Sequence, residues 1–137
     1  MNREEHKERE ARKEDREIVI ISHHLSAILT VSDNILNLSQ QDFISLLSDA
    51  ALSANMQPVG EVAVEFQPQG ISAVILLSES HVALHLWTEH KKVCIDIHVC
   101  DYQQNNLEKA KKLANLLTLK LSGDNCHEEW HYLKVLG

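Results

Sequence analysis

HVALHLW, from His81 to Trp87, and VCIDIHVC, from Val93 to Cys100, both alternate aliphatic residues with polar or reactive ones. In the first, Val82, Leu84 and Leu86 oppose His81, Ala83, His85 and Trp87; in the second, Val93, Ile95, Ile97 and Val99 oppose Cys94, Asp96, His98 and Cys100. Successive side chains of a strand point to opposite sides, so a period of two predicts two strands, each with one side for a core and one side carrying reactive groups. The polar link from Thr88 to Lys92 has the length of a hairpin connection. A wet sheet surface is the plain reading of either polar side alone, and its repetition on two strands weakens that reading.

The same logic extends in both directions. The folded domain is expected from Ile18, where IVII precedes HHLSAILTV and Leu25, Ala27, Leu29 and Val31 alternate with His24, Ser26, Ile28 and Thr30. Ser39 and Asp42 form a capping-box pattern ahead of Phe43, Leu46, Leu47, Ala50 and Ala54, which recur at helical spacing. Period two returns from Val59 to Phe66, with Val62, Val64 and Phe66 on one side and Glu61, Ala63 and Glu65 on the other. Pro68 and Gly70 then mark a turn before a strand from Ile71 to Ser78. A second helix is predicted from Leu107 to Leu121, with Leu107, Ala110, Ala114, Leu117 and Leu121 on one stripe and Gly123 at its end. The segment EEWHYLKVL alternates as a last strand. Strand, helix, several strands, helix, strand, with short central links, predicts an α+β two-layer sandwich: an antiparallel β-sheet with two main helices packed on one face. The other face is left for solvent, a partner subunit or chemistry.

The 137 residues suit one domain, placed at 18–137. Residues 1–17 mix both charge signs, with Ala11 the one apolar residue between Asn2 and Glu17, so they predict a disordered or frayed helical arm with no buried face. A net charge of -7 opposes nucleic-acid binding, which needs clustered cations against phosphate. The longest apolar run, Ala73 to Leu77, is too short to span a bilayer, and the N-terminus lacks a secretory apolar region, so no membrane association and a cytoplasmic location are expected. Cys94, Cys100 and Cys126 are odd in number and lack C-x-x-C spacing, which predicts free thiols. Nine histidines raise the question of a metal. His81 and His85 would lie about 13 Å apart along a strand. Zinc would therefore need several strands, for example His85, His98 and Cys100, and no metal is expected.

The stretch GISAVILLSESHVALHLWTEHKKVCIDIHVC, from Gly70 to Cys100, resembles the core of the bacterial and archaeal S-adenosylmethionine decarboxylases. Those read close to G-x-S-G, an apolar strand, E-S-H-x-x-I-H-T-W-P-E and then D-x-x-x-C-G. Upstream, His24-Leu25 is similar to their R-H-L opening, and Phe66-x-Pro68-x-Gly70 matches F-x-P-x-G, so the resemblance covers residues 22 to 123. It implies that family's fold and a pyruvoyl-dependent carboxy-lyase that supplies the aminopropyl donor for spermidine. It also implies a proenzyme that cuts itself between Glu79 and Ser80.

In the implied scheme the Ser80 hydroxyl attacks the preceding carbonyl, an N-to-O acyl shift gives an ester, and β-elimination leaves a pyruvoyl group heading residues 80–137. Ser72 matches the serine that supports the ester stage, and His85 the histidine that removes the Ser80 α-proton. A substrate amine then condenses with the pyruvoyl ketone, and the resulting imine drains electrons as carbon dioxide leaves, with no added cofactor. Cys100 matches the acid that reprotonates the α-carbon, whereas an ordinary free cysteine packs as a small hydrophobe. Phe66 and Trp87 match aromatic positions for adenine, and Glu89 a carboxylate for ribose hydroxyls. The resemblance further implies a homodimer with active sites at or near the subunit interface, for which the uncovered sheet face is a physical motive.

Four positions depart from the family pattern. Leu86 and Thr88 stand for Thr and Pro, Asp101 for Gly, and Ala73 for a common Gly. All but Ala73 are expected near the substrate, which makes ornithine or arginine the alternative to S-adenosylmethionine. A processing-dead homologue acting as a binding or regulatory subunit is the rival of another class, opposed by the complete set Ser72, Ser80, His85 and Cys100.

Overall fold

In the computed structural model the described residues are Asn2, 19–78, 80–123 and 129–137. Most of the charged arm, the expected domain start Ile18, Glu79 and Cys126 lie outside them. The described residues form strands β1 (Ile21–Thr30), β2 (Pro58–Glu65), β3 (Ile71–Leu77), β4 (Ser80–Trp87), β5 (Lys92–Cys100) and β6 (His131–Leu136), with helices α1 (Gln40–Ser53) and α2 (Leu107–Ser122). The sheet runs β2-β3-β4-β5-β1-β6, and each neighbouring pair is antiparallel. Helix α1 lies over β2 and β3, α2 lies over β1 and β5, and the helices touch each other. This is the expected α+β two-layer sandwich.

Local chemistry fixes the helix ends. The Ser39 hydroxyl accepts the Asp42 backbone N–H at 3.1 Å, and the Asp42 carboxylate accepts the Ser39 N–H at 2.9 Å, closing the capping box. The bonds from the Ser39 backbone and hydroxyl hold the Asp42 carboxyl below its ordinary 3.8. At the end of α2, Gly123 takes φ +81, a left-handed angle that a side chain would strain, and its N–H bonds back to the Leu119 carbonyl at 3.0 Å.

The core is the slab between helices and sheet. Phe43, Leu47, Leu113, Leu117 and Leu121 meet Leu29, Ile75, Leu84, Ile95 and Ile97, all nearly or fully buried. Three helical residues outside the predicted stripes, Ile44, Ala51 and Leu113, are buried, whereas Leu46 and Leu107 are only half-buried. The helices therefore turn slightly from the sequence estimate. On edge strand β2, Ala63 packs against the core while Val62 and Val64 remain exposed on the other face. Strand β6 forms the opposite edge beside β1, a pairing that alternation alone does not reveal.

Phe43 sits at 0% exposure under α1. Phe43→Ala should lower unfolding stability by about 3–5 kcal/mol, through lost transfer energy and the cavity left behind. Urea titration checks this, and a loss below about 1 kcal/mol would contradict a packed slab at this point.

Candidate active site

Ser80 is the first residue of β4, paired with Leu77 on β3 and Val99 on β5. Cys100 follows Val99 as the last residue of β5, so Ser80 and Cys100 mark the same end of the sheet. Ser80 borders a depression that also takes in Asn55, Gln57, Ser78, Tyr102 and Asn106. Cys100 is half-buried with a free thiol. Glu79, the expected cleavage partner, falls outside the described residues.

Ser72 and His85 are register partners on β3 and β4, and Ser72 Oγ lies 2.7 Å from His85 Nδ1. They border a groove of about 470 Å³ with Phe66, Gln69, Trp87 and Glu89. Phe66 is 50% and Trp87 51% exposed, so both rings have area to offer a ligand rather than filling the core. Gly70 shapes the groove rim: its φ is +109, and a Cβ there would crowd the Leu86 carbonyl. The Gln69 amide donates to the Glu89 carboxylate at 3.2 Å.

The expected site therefore falls into two clusters. Ser80 and Cys100 share one end of the sheet, while Ser72, His85, Phe66, Trp87 and Glu89 gather toward the other. Five residues of extended strand separate Ser80 from His85, roughly 16 Å at about 3.3 Å per residue. Within one chain the serine–histidine dyad does not reach Ser80.

A third feature is absent from the sequence reading. His81, His98 and His24 are cross-strand partners on β4, β5 and β1, forming one row on the open face. The His24 and His98 rings stack with centroids 4.4 Å apart, and His81 meets His98 edge-on at 4.8 Å. Cys100 Sγ lies 3.5 Å from His98 Nε2, and the Ser22 hydroxyl lies 3.1 Å from His24 Nε2. Burial, followed by the neighbouring His24 and His81, lowers the His98 pKa below its ordinary 6.5. Alternation on each strand places these rings on one face, but only knowledge that β1 lies beside β5 puts them in a row. His85 pairs with Cys94 and so stands away from His98 and Cys100. Among the described residues no group of His, Cys, Asp or Glu is arranged to hold a metal.

Two departures expected near the substrate also serve the scaffold. Leu86 is buried with the core side chains and also borders the groove of Ser72, His85 and Trp87. Asp101 accepts from His23 Nε2 at 2.9 Å and from the Asn106 backbone N–H at 2.9 Å. The other ring nitrogen of His23, Nδ1, lies 2.6 Å from the Tyr132 hydroxyl. His23 is only 2% exposed, so this chain of bonds satisfies a buried ring and ties β1 to β6 and to the segment after β5.

The fold and the motif residues on its open face are those of a decarboxylase class, and the comparisons with known proteins agree. The chain belongs to the S-adenosylmethionine decarboxylase family, whose model matches residues 23–127. It is 32% identical over 95 residues to an S-adenosylmethionine decarboxylase proenzyme of Archaeoglobus fulgidus, covering 69% of this chain and 84% of that protein. A proenzyme of the same name from Clostridium kluyveri is 36% identical over 105 residues, covering 75% and 78%. The crystal structure of the adenosylmethionine decarboxylase of Aquifex aeolicus superposes with a TM-score of 0.65 at 24% identity, covering 82% of this chain and 89% of that one, and supports the fold.

The lowered His98 pKa has a consequence for stability. The unfolded chain binds the proton more tightly than the fold does, so stability is lost as pH falls through 6.5. The drop in melting temperature between about pH 7.5 and about pH 5 should be smaller in His98→Phe than in the parent. An equal or larger drop in the variant contradicts this.

Proposed function

We propose that the chain is a proenzyme that cuts itself before Ser80, and that the matured protein decarboxylates S-adenosylmethionine to the aminopropyl donor used for spermidine. The observation that carries this reading is the 2.7 Å Ser72–His85 contact beside the groove of Phe66, Trp87 and Glu89. Ser80 fits the precursor of a pyruvoyl group. It heads β4, so a break before it leaves the ladders to β3 and β5 in place. When present, the pyruvoyl group supplies a ketone that takes up the substrate amine and withdraws the electrons released with carbon dioxide.

The side chains divide the work. The Ser80 hydroxyl oxygen attacks the Glu79 carbonyl carbon, and the peptide nitrogen leaves to become an amine while an ester forms. Ser72 supports this ester by hydrogen bonding. His85 takes the Ser80 α-proton, which expels the Glu79 carboxylate, and water then releases ammonia from the new end. In the decarboxylation Cys100 delivers a proton to the substrate α-carbon. Phe66 and Trp87 stack on adenine, and Glu89 accepts from ribose hydroxyls. Leu86 adds an apolar wall to this groove, and the altered motif keeps its aromatic and carboxylate groups at Phe66, Trp87 and Glu89, which favours S-adenosylmethionine over ornithine or arginine.

The two clusters need each other, and a second copy of the chain brings them together. A two-fold axis between two open sheet faces, running across the strands, sets the Ser80 and Cys100 end of one protomer against the Ser72 and His85 end of its partner. Ile28, Val62, Leu76, Leu133 and Val135 stand exposed among the strands and would be covered by such stacking. We place the enzyme in the cytoplasm, where reducing conditions keep the Cys100 thiol free. Among the described residues no helix is long and apolar enough to cross a membrane.

Purified protein should yield fragments 1–79 and 80–137, and Ser80→Ala should remain whole. His85→Ala should slow cleavage by about 100-fold or more. Matured protein should release labelled carbon dioxide from carboxyl-labelled S-adenosylmethionine and not from ornithine or arginine. Release from either of those two instead overturns the substrate, and uncut but active protein overturns the mechanism.

Mixing tests the shared site. A His85→Ala chain that stays uncut alone should be cut when paired with Ser80→Ala, because the second chain lends its histidine to the first. If the mixture remains uncut although the two chains associate, each site is complete within its own protomer.

A further inference from the structure

The proton donor of the proposed reaction has a neighbour to which none of these steps gives a task. Cys100 and His98 lie two residues apart on β5 and share the open face, with Sγ and Nε2 separated by 3.5 Å. His98 is also the middle ring of the row His24–His98–His81. A thiol that must give up a proton once per turnover has two needs. It must hold the proton beforehand, and it must regain one afterwards.

We infer that His98 is a positioning residue for Cys100, whose imidazole orients the thiol and returns its proton after each turnover. This rests on Cys100 being the proton donor. The titratable neighbours of His98 are His24 on β1, His81 on β4, and Asp96 and Cys100 on β5; the next row holds His131 on β6 opposite Ser26. Asp96 accepts a bond from the Ser26 hydroxyl, which engages that carboxylate away from the row. A standing imidazolium beside Cys100 would draw off its proton and leave a thiolate that cannot act as an acid. Burial and the two flanking imidazoles oppose that standing charge, so His98 rests neutral.

The proton balance then closes. Cys100 S–H passes its proton to the substrate carbon and becomes a thiolate. A proton from water converts His98 transiently to imidazolium, its Nε2–H gives that proton to sulfur, and the ring returns to neutral. The same donor stabilises a thiolate more than a thiol, because a hydrogen bond to a charged acceptor is the stronger one.

The test separates this role from the decarboxylase reading. In a Ser80→Ala chain, alkylation of Cys100 by iodoacetamide is followed by peptide mass mapping across pH. His98→Phe should slow alkylation at about pH 7 by about tenfold and move the half-rate point to higher pH, and His98→Gln should recover part of the rate. In matured protein His98→Phe should lower kcat with KM unchanged and flatten the pH profile of kcat. Identical alkylation profiles for parent and His98→Phe, or a change in KM alone, overturn the inference. The alkylation arm needs neither pyruvoyl group nor substrate, so its failure leaves carbon dioxide release by the parent enzyme as independent support for the decarboxylase.

Discussion

Strand alternation in β3, β4 and β5 couples the core to the chemistry. Ile75, Leu84 and Ile97 are buried beneath the helices because Ser72, His85, His98 and Cys100 occupy the opposite parity of the same strands. A slip of one residue in register would drive imidazole and thiol groups into the apolar slab and lift aliphatic side chains into the open. The desolvation cost of that exchange makes the active register the stable one. Precise placement of Ser72 opposite His85 is thus a by-product of burying leucine and isoleucine.

Much of this was legible in the residues. Period two in HVALHLW and VCIDIHVC marked both strands and both faces, and Ser39 with Asp42 marked the start of α1. The layered architecture followed from the order of elements. What alternation cannot supply is which distant strands become neighbours. The placement of β1 between β5 and β6 is a long-range pairing, and with it came the histidine row and the His23–Asp101–Tyr132 chain of bonds. Asp101, which by motif alone belongs near the substrate, proved to be the partner of a buried ring. The separation of Ser80 from His85, by contrast, is implied by the predicted strand, since the rise per residue that parts His81 from His85 parts these two as well.

The two sheet faces also differ in what they tolerate. The helix side is closed by the packed residues around Phe43, and the capping box of Ser39 and Asp42 satisfies the start of α1. The open side carries a mixed population: aliphatic side chains at Val62 and Leu76, imidazoles in the middle, and aromatic rings at Phe66 and Trp87. Such a surface suits a second protein layer with room for a polar ligand between layers, since neither bulk water nor a dry interface satisfies all of it.

The sheet order has a consequence for what a break before Ser80 leaves behind. The segment ahead of the break owns β1, β2, β3 and α1, and the segment behind it owns β4, β5, β6 and α2. Yet β1 is inserted between β5 and β6, so the pieces are interleaved like the fingers of two hands rather than lying side by side. Neither piece can leave without breaking ladders on both flanks of β1 as well as the seam between β3 and β4. The nicked molecule therefore holds together without a covalent link. Once melted, however, it must find its other half by collision, so its recovery becomes dependent on concentration where that of the uncut chain is not.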